Sequence, residues 1–128
     1  MESNMVWIVE DDLFLRNSFT EIINSTNDFV VSGAFRSGED ALRQLKTSQP
    51  DFVLMDIELA DGQSFEIFNQ ADIQCPVIFT TSYDEYTLRA FKVNSVDYLL
   101  KPVQQDELEA ALLKYKKYKA VPEGEINI

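Results

Sequence analysis

Four short apolar runs in this sequence end in residues that could handle a charged ligand. Met5-Val6-Trp7-Ile8-Val9 gives way to Glu10-Asp11-Asp12, and Phe52-Val53-Leu54-Met55 to Asp56. Val77-Ile78-Phe79 leads into Thr80-Thr81, and the run Val96 to Leu100 into Lys101-Pro102. If these runs are parallel strands of one sheet, their C-terminal ends share one edge, which is where such sheets bind ligands. Three carboxylates, a hydroxyl and an ammonium would then converge from four places in the chain. Two carboxylates about 4 Å apart repel by about 4 kcal/mol at an effective dielectric of 20. A hard divalent cation removes that penalty, and Mg2+ is satisfied by two or three carboxylates plus water. With Lys101 beside it, the cation would neutralise the oxygens of a phosphoryl group, and Thr81 would donate a hydrogen bond to it. A carboxylate can also act as the nucleophile and form an aspartyl phosphate. Asp56 is the best candidate acceptor because a buried run fixes its backbone, whereas the adjacent Glu10 and Asp11 suit the metal.

Each of these residues taken singly has an ordinary structural explanation. Glu10-Asp11-Asp12 could cap and open the following helix. Asp56 could be a turn residue, Lys101 a solvated loop lysine, and Thr80 and Thr81 plain strand residues. The coincidence of all four groups at one edge is what argues for a site.

The elements needed to build that edge are legible in the pattern. Leu15, Phe19, Ile22 and Ile23 mark one face of a helix from Leu13 to about Ser25. Phe29 to Phe35 reads as a second strand. Ser37 is the expected N-cap of a helix carrying Ala41, Leu42 and Leu45. Asp61-Gly62 signals a turn before a helix holding Phe65, Ile67 and Phe68. Asp84 to about Val93 is expected to be helical, as is Gln104 to about Lys119, with Leu108, Ala111, Leu112 and Tyr115 on one stripe. Five βα units with mostly continuous apolar strands predict a doubly wound α/β fold, an open five-stranded parallel sheet with five helices.

Composition limits the alternatives. Apolar residues make up 45% of the 128 positions, enough for one domain with a real core. The net charge of −11 disfavours non-specific nucleic-acid binding and anionic membrane surfaces. With no His and one cysteine, Cys75, the chain has neither an internal disulfide nor the usual zinc or Ser-His-Asp sets. The expectation is a cytoplasmic protein with no signal peptide and no membrane span. The stretch 120–128 reads as the start of a linker to a second domain.

Taken together, these residues resemble a known family. Val9-Glu10-Asp11-Asp12, Leu54-Met55-Asp56-Ile57, Thr80-Thr81-Ser82 and Tyr98-Leu99-Leu100-Lys101-Pro102 together resemble the receiver domain of two-component response regulators, over roughly residues 5 to 119. The run Phe79 to Tyr86, with Ala90-Phe91 and Val96-Asp97-Tyr98, looks like receivers joined to LytTR-type DNA-binding domains. The resemblance implies a flavodoxin-like strand order 2-1-3-4-5 and a receiver domain at 1–119. It implies that Asp56 takes a phosphoryl group from a phosphohistidine on a sensor histidine kinase. Glu10, Asp11, Asp56 and the backbone carbonyl of Glu58 would surround Mg2+. Thr81 and Lys101 would engage the phosphoryl group, the Lys101-Pro102 peptide would be cis, and Tyr98 would be an aromatic switch coupled to Thr81. Phosphorylation would drive homodimerisation through the fourth and fifth βα units, and DNA would be reached only through the effector domain. Such a domain catalyses only its own phosphorylation and dephosphorylation.

The sequence departs from the family pattern in three places. Glu10 stands where Asp is commoner, Glu58-Leu59-Ala60-Asp61-Gly62 lacks a usual proline, and Ser82 replaces a small residue, often Ala, at a position that can tune water access. Two rival classes share some features. A haloacid-dehalogenase-type phosphatase also uses a strand-end Asp, Mg2+, a hydroxyl and a Lys, and Asp56-Ile57-Glu58 mimics its paired acids. Those acids resemble Asp-x-Asp on a first strand, however, usually in a longer chain. A flavodoxin-like binding module would want a Ser/Thr/Gly-rich phosphate loop where Glu10-Asp11-Asp12 stands. The four glycines fit neither a P-loop nor a dinucleotide fingerprint.

Overall fold

The computed structural model describes residues 3–59, 62–63, 75–83 and 95–120. Its centre is a five-stranded sheet: β1 (Asn4–Val9), β2 (Phe29–Phe35), β3 (Phe52–Asp56), β4 (Val77–Thr81) and β5 (Ser95–Leu100). The strands lie in the order β2-β1-β3-β4-β5, and every neighbouring pair is parallel. Three helices are described: α1 (Leu13–Ser25), α2 (Gly38–Leu45) and α3 (Gln105–Ala120). The helices expected around Phe65–Phe68 and Asp84–Val93 lie outside the described residues, as does the tail after Ala120.

The sheet is covered on both faces, and strand alternation assigns each residue to one of two cores. Val6 and Ile8 of β1, Phe52 and Leu54 of β3 and Ile78 of β4 pack with Phe19 and Ile23 of α1 and with Leu108, Ala111, Leu112 and Tyr115 of α3. Trp7 and Val9, Val53 and Met55, and Val77 and Phe79 join Ala41 and Leu45 of α2 on the other side. This division explains why the central strands read as unbroken apolar runs: β3 and β4 are buried at every position. The edge strand β2 alternates after Phe29 between exposed and half-buried positions.

Local signals start the helices. Asp12 is the N-cap of α1, its carboxylate accepting from the Leu15 N–H at 3.1 Å. Ser37 caps α2 in the same way, accepting from the Asp40 N–H at 3.1 Å, and Glu39 and Asp40 complement the positive end of the helix. At the opposite end of the sheet, Asn4 joins β1 because its N–H and its side-chain amide both donate to the Asp28 carbonyl, at 2.8 and 3.0 Å. Asp28 holds a positive φ of 77°, and its carboxylate pairs with Lys116 of α3 at 2.8 Å.

Two features have no counterpart in the sequence pattern. Glu58–Leu59 pairs antiparallel with Gly62–Gln63, a two-residue contact too short to show a hydrophobic period. The β1–β2 register shifts between Val6 and Trp7, which places Gly33 opposite Trp7. A Cβ on Gly33 would meet Trp7 Cδ1 at 3.0 Å and Phe35 Cε2 at 3.1 Å, so the indole occupies the space a side chain would need.

Candidate functional site

The register brings the strand ends to one rim. Val9 pairs with Met55, Asp56 with Thr80, and Thr81 with Leu100. The backbone ladder runs past the strands: the Glu10 N–H donates to Phe35 O (2.9 Å), Ile57 N–H to Thr80 O (2.9 Å) and Lys101 N–H to Thr81 O (2.7 Å). The backbones that carry Glu10, Asp56, Thr81 and Lys101 are therefore fixed by the sheet. The Lys101–Pro102 peptide is cis.

Glu10, Asp11 and Asp56 each present a carboxylate oxygen within 4.8 Å of the others, and only Asp11 of the three is exposed. Between the two buried acids lies Lys101, whose ammonium donates to Glu10 Oε1 at 2.8 Å and to Asp56 Oδ2 at 3.0 Å. The remaining oxygens have backbone partners. The Asp12 N–H donates to Glu10 Oε2, and the Glu58 N–H to Asp56 Oδ1, each at 3.1 Å.

One ammonium does not balance this cluster. Burial pushes Glu10 up to about 7, with the Asp56 charge adding to the rise against the opposing Lys101 hydrogen bond. Burial likewise raises Asp56, although Lys101 and the Glu58 N–H pull the other way. Burial alone would depress Lys101, but its hydrogen bonds to the two carboxylates outweigh that effect and raise it. Two desolvated carboxyls share one cation, and a third carboxylate stands at the mouth. An all-oxygen donor set with excess negative charge fits a hard divalent cation such as Mg2+.

The sequence-predicted residues divide into two groups. Glu10, Asp11, Asp56 and Lys101 meet directly. Thr81, fully buried, is turned to Glu58: its hydroxyl donates to Glu58 Oε1 at 2.7 Å and accepts from the Tyr83 N–H at 3.1 Å. Tyr98 is half-buried and packs on the core beneath α2, while its hydroxyl donates to the Tyr83 carbonyl. A hydrogen-bonded path thus links Glu58, Thr81, Tyr83 and Tyr98. Two participants carry no motif in the sequence. Arg16 donates from Nη1 to the Glu10 carbonyl at 2.7 Å, fixing the turn into α1. Its signal was a lone cation in the first turn of a helix that follows three acids. The Glu58 side chain, which holds Thr81, is the other.

The comparisons with known proteins agree with this architecture. The response regulator receiver domain family matches residues 6–113. The chain is 38% identical over 117 residues to the sensory transduction protein LytT of Bacillus cereus, covering 89% of this chain and 48% of that protein. It is 30% identical over 125 residues to the transcriptional regulatory protein LytR of Staphylococcus aureus, covering 94% of this chain and 50% of that one. It spans about half the length of the curated relatives it matches. Among solved structures it is similar to the response regulatory domain of protein mrkE from Klebsiella pneumoniae, with a TM-score of 0.80 and 26% identity over 89% of this chain and 96% of that one. The chain belongs to the response regulator receiver domain family.

Proposed function

We propose that this domain is a phosphorylation-controlled switch in which Asp56 accepts a phosphoryl group from a phosphohistidine of a sensor histidine kinase. The observation that carries the reading is the Glu10–Asp11–Asp56 cluster with Lys101 bonded to both buried acids. An Asp56 carboxylate oxygen attacks phosphorus, the P–N bond to the donor imidazole breaks with its electron pair going to nitrogen, and the imidazole leaves neutral after taking a proton from solvent water. The Glu58 N–H at Asp56 Oδ1 orients the carboxylate. Lys101 supplies positive charge to the transferring oxygens. Glu10, Asp11, Asp56 and the main-chain carbonyl of Glu58 would hold Mg2+, which supplies charge neutralisation for the phosphoryl oxygens. Glu58, the second acid of Asp56-Ile57-Glu58, has its side chain hydrogen-bonded to Thr81.

The product dianion then draws Thr81 and Lys101 toward it, and Tyr98 follows through Tyr83. Leu100 on β5 and Leu113 and Tyr118 on α3 are large exposed side chains suited to pairing a second receiver through the fourth and fifth βα units. Exposed Leu13 and Phe14 stand at the start of α1, beside a cleft lined by Lys101 and Pro102, and offer an apolar seat for the donor kinase. The domain spans 1–119, and 120–128 begins a linker to a LytTR-type output domain through which DNA is bound. The reading is supported by the half-length match to LytT and LytR. The setting is cytoplasmic. Among the described residues no helix is long and apolar enough to cross a membrane.

Light scattering with and without beryllofluoride and Mg2+ tests the output step. A doubled mass on adding the mimic is expected, and an unchanged mass contradicts pairing.

A further inference from the structure

We propose that the Glu58 side chain is a latch that holds Thr81 away from the acceptor, so that phosphoryl capture must first break the Glu58–Thr81 hydrogen bond. The inference rests on the proposed role of Asp56 and concerns how that site is restrained. A threonine hydroxyl has one proton to donate. In this structure Thr81 gives it to Glu58 Oε1 at 2.7 Å, a charge-assisted geometry between a fully buried hydroxyl and a half-buried carboxylate. The same proton is the one a phosphoryl oxygen on Asp56 would need, so the two bonds exclude each other.

Both partners are held in place. Glu58 is tied to the acceptor through its own N–H, bonded to Asp56 Oδ1 at 3.1 Å, and its backbone is paired with Gln63. Thr81 ends β4 and accepts from the Tyr83 N–H at 3.1 Å, while the Tyr83 carbonyl takes the Tyr98 hydroxyl. The latch therefore restrains Thr81, Tyr83 and Tyr98 together. A bistable element responds only to a ligand that favours one of its states, and here the phosphoryl group and the Glu58 carboxylate compete for one proton. Glu58 is thus a positioning residue that acts through Thr81 and sets how much of the binding energy is spent on release.

The test titrates the 128-residue chain with beryllofluoride at saturating Mg2+, reading bound fluoride by 19F NMR, for wild type, Glu58→Ala and Glu58→Gln, each with Thr81 and with Thr81→Ala. Loss of one charge-assisted bond predicts about tenfold tighter binding for Glu58→Ala. Glu58→Gln, which keeps an acceptor oxygen, should fall nearer wild type. In the Thr81→Ala background the gain should vanish, because no hydroxyl remains to release. In metal-free protein, Glu58→Ala should also move the Thr81 methyl and Tyr83 amide resonances. A gain that persists without Thr81, or one equal for Ala and Gln, marks simple relief of negative charge and overturns the latch. Unchanged affinity for Glu58→Ala overturns it while leaving the Asp56 reading intact. Failure of all six proteins to bind the mimic removes that reading and the latch with it.

Discussion

Lys101→Met isolates the electrostatic problem at the centre of the site. The substitution keeps the apolar stem and removes the charge that lies 2.8 Å from Glu10 and 3.0 Å from Asp56. The lysine side chain is 15% exposed and the two carboxylates 2% and 6%, so solvent screens little of the loss. Leaving a buried ion pair without one partner costs about 3–5 kcal/mol, and unscreened carboxylates about 4 Å apart repel by a similar amount. Protonation limits the damage, because Glu10 titrates near 7 even with Lys101 present. The expected loss is therefore about 3 kcal/mol at pH 8 in chelator and about 1 kcal/mol at pH 5, where Glu10 takes up a proton. Adding Mg2+ at pH 8 should return much of the stability, because a cation replaces the missing ammonium. Urea unfolding followed through Trp7, the single and buried tryptophan, measures all three conditions. An equal loss at both pH values, or no recovery with Mg2+, would refute the reasoning that charge rather than packing holds the rim together.

Three further outcomes follow from the same geometry. In chelator the wild-type protein should itself lose stability between pH 5 and pH 8: the raised Glu10 pKa stabilises the fold below the ordinary carboxylate value, and that contribution disappears as pH rises through about 7. Urea midpoints across that range measure the slope, which should run the other way or flatten with Mg2+ present. Gly33→Ala should shift the Trp7 indole by a few tenths of an ångström, because the new methyl would meet its Cδ1 at 3.0 Å, and a changed Trp7 emission would report the displacement. Asp12→Ala should cost about 1 kcal/mol by removing the α1 cap, read from thermal melting.

The strand ends were legible because parallel strands impose a common edge. Val9, Met55 and Leu100 are apolar, and the polar residue after each has to emerge at the same rim. The caps Asp12 and Ser37 were legible as capping residue types ahead of helical periods. Periodicity carries no information about a two-residue pairing such as Glu58–Leu59 with Gly62–Gln63, or about a register shift that opposes Gly33 to Trp7. The extension of β1 to Asn4 depends on a tertiary bond to Asp28, 24 residues away. At the site, spacing identified Thr81 but could not choose its acceptor. The hydroxyl turns to Glu58, whose side-chain rotamer is not specified by spacing along the chain. Arg16 was hidden for the same reason: its value lies in reaching back to the Glu10 carbonyl, which only the folded turn makes possible.

The proposed acceptor is Asp56, which would form an acyl phosphate where the acidic cluster and Lys101 meet. Intact-mass spectrometry after incubation with acetyl phosphate addresses it, with wild type and Asp56→Asn each measured with Mg2+ and with EDTA. The account predicts the added mass of one phosphoryl group on the wild type with Mg2+ alone. Label on Asp56→Asn would contradict the acceptor, and label in EDTA would contradict the metal's part in the transfer.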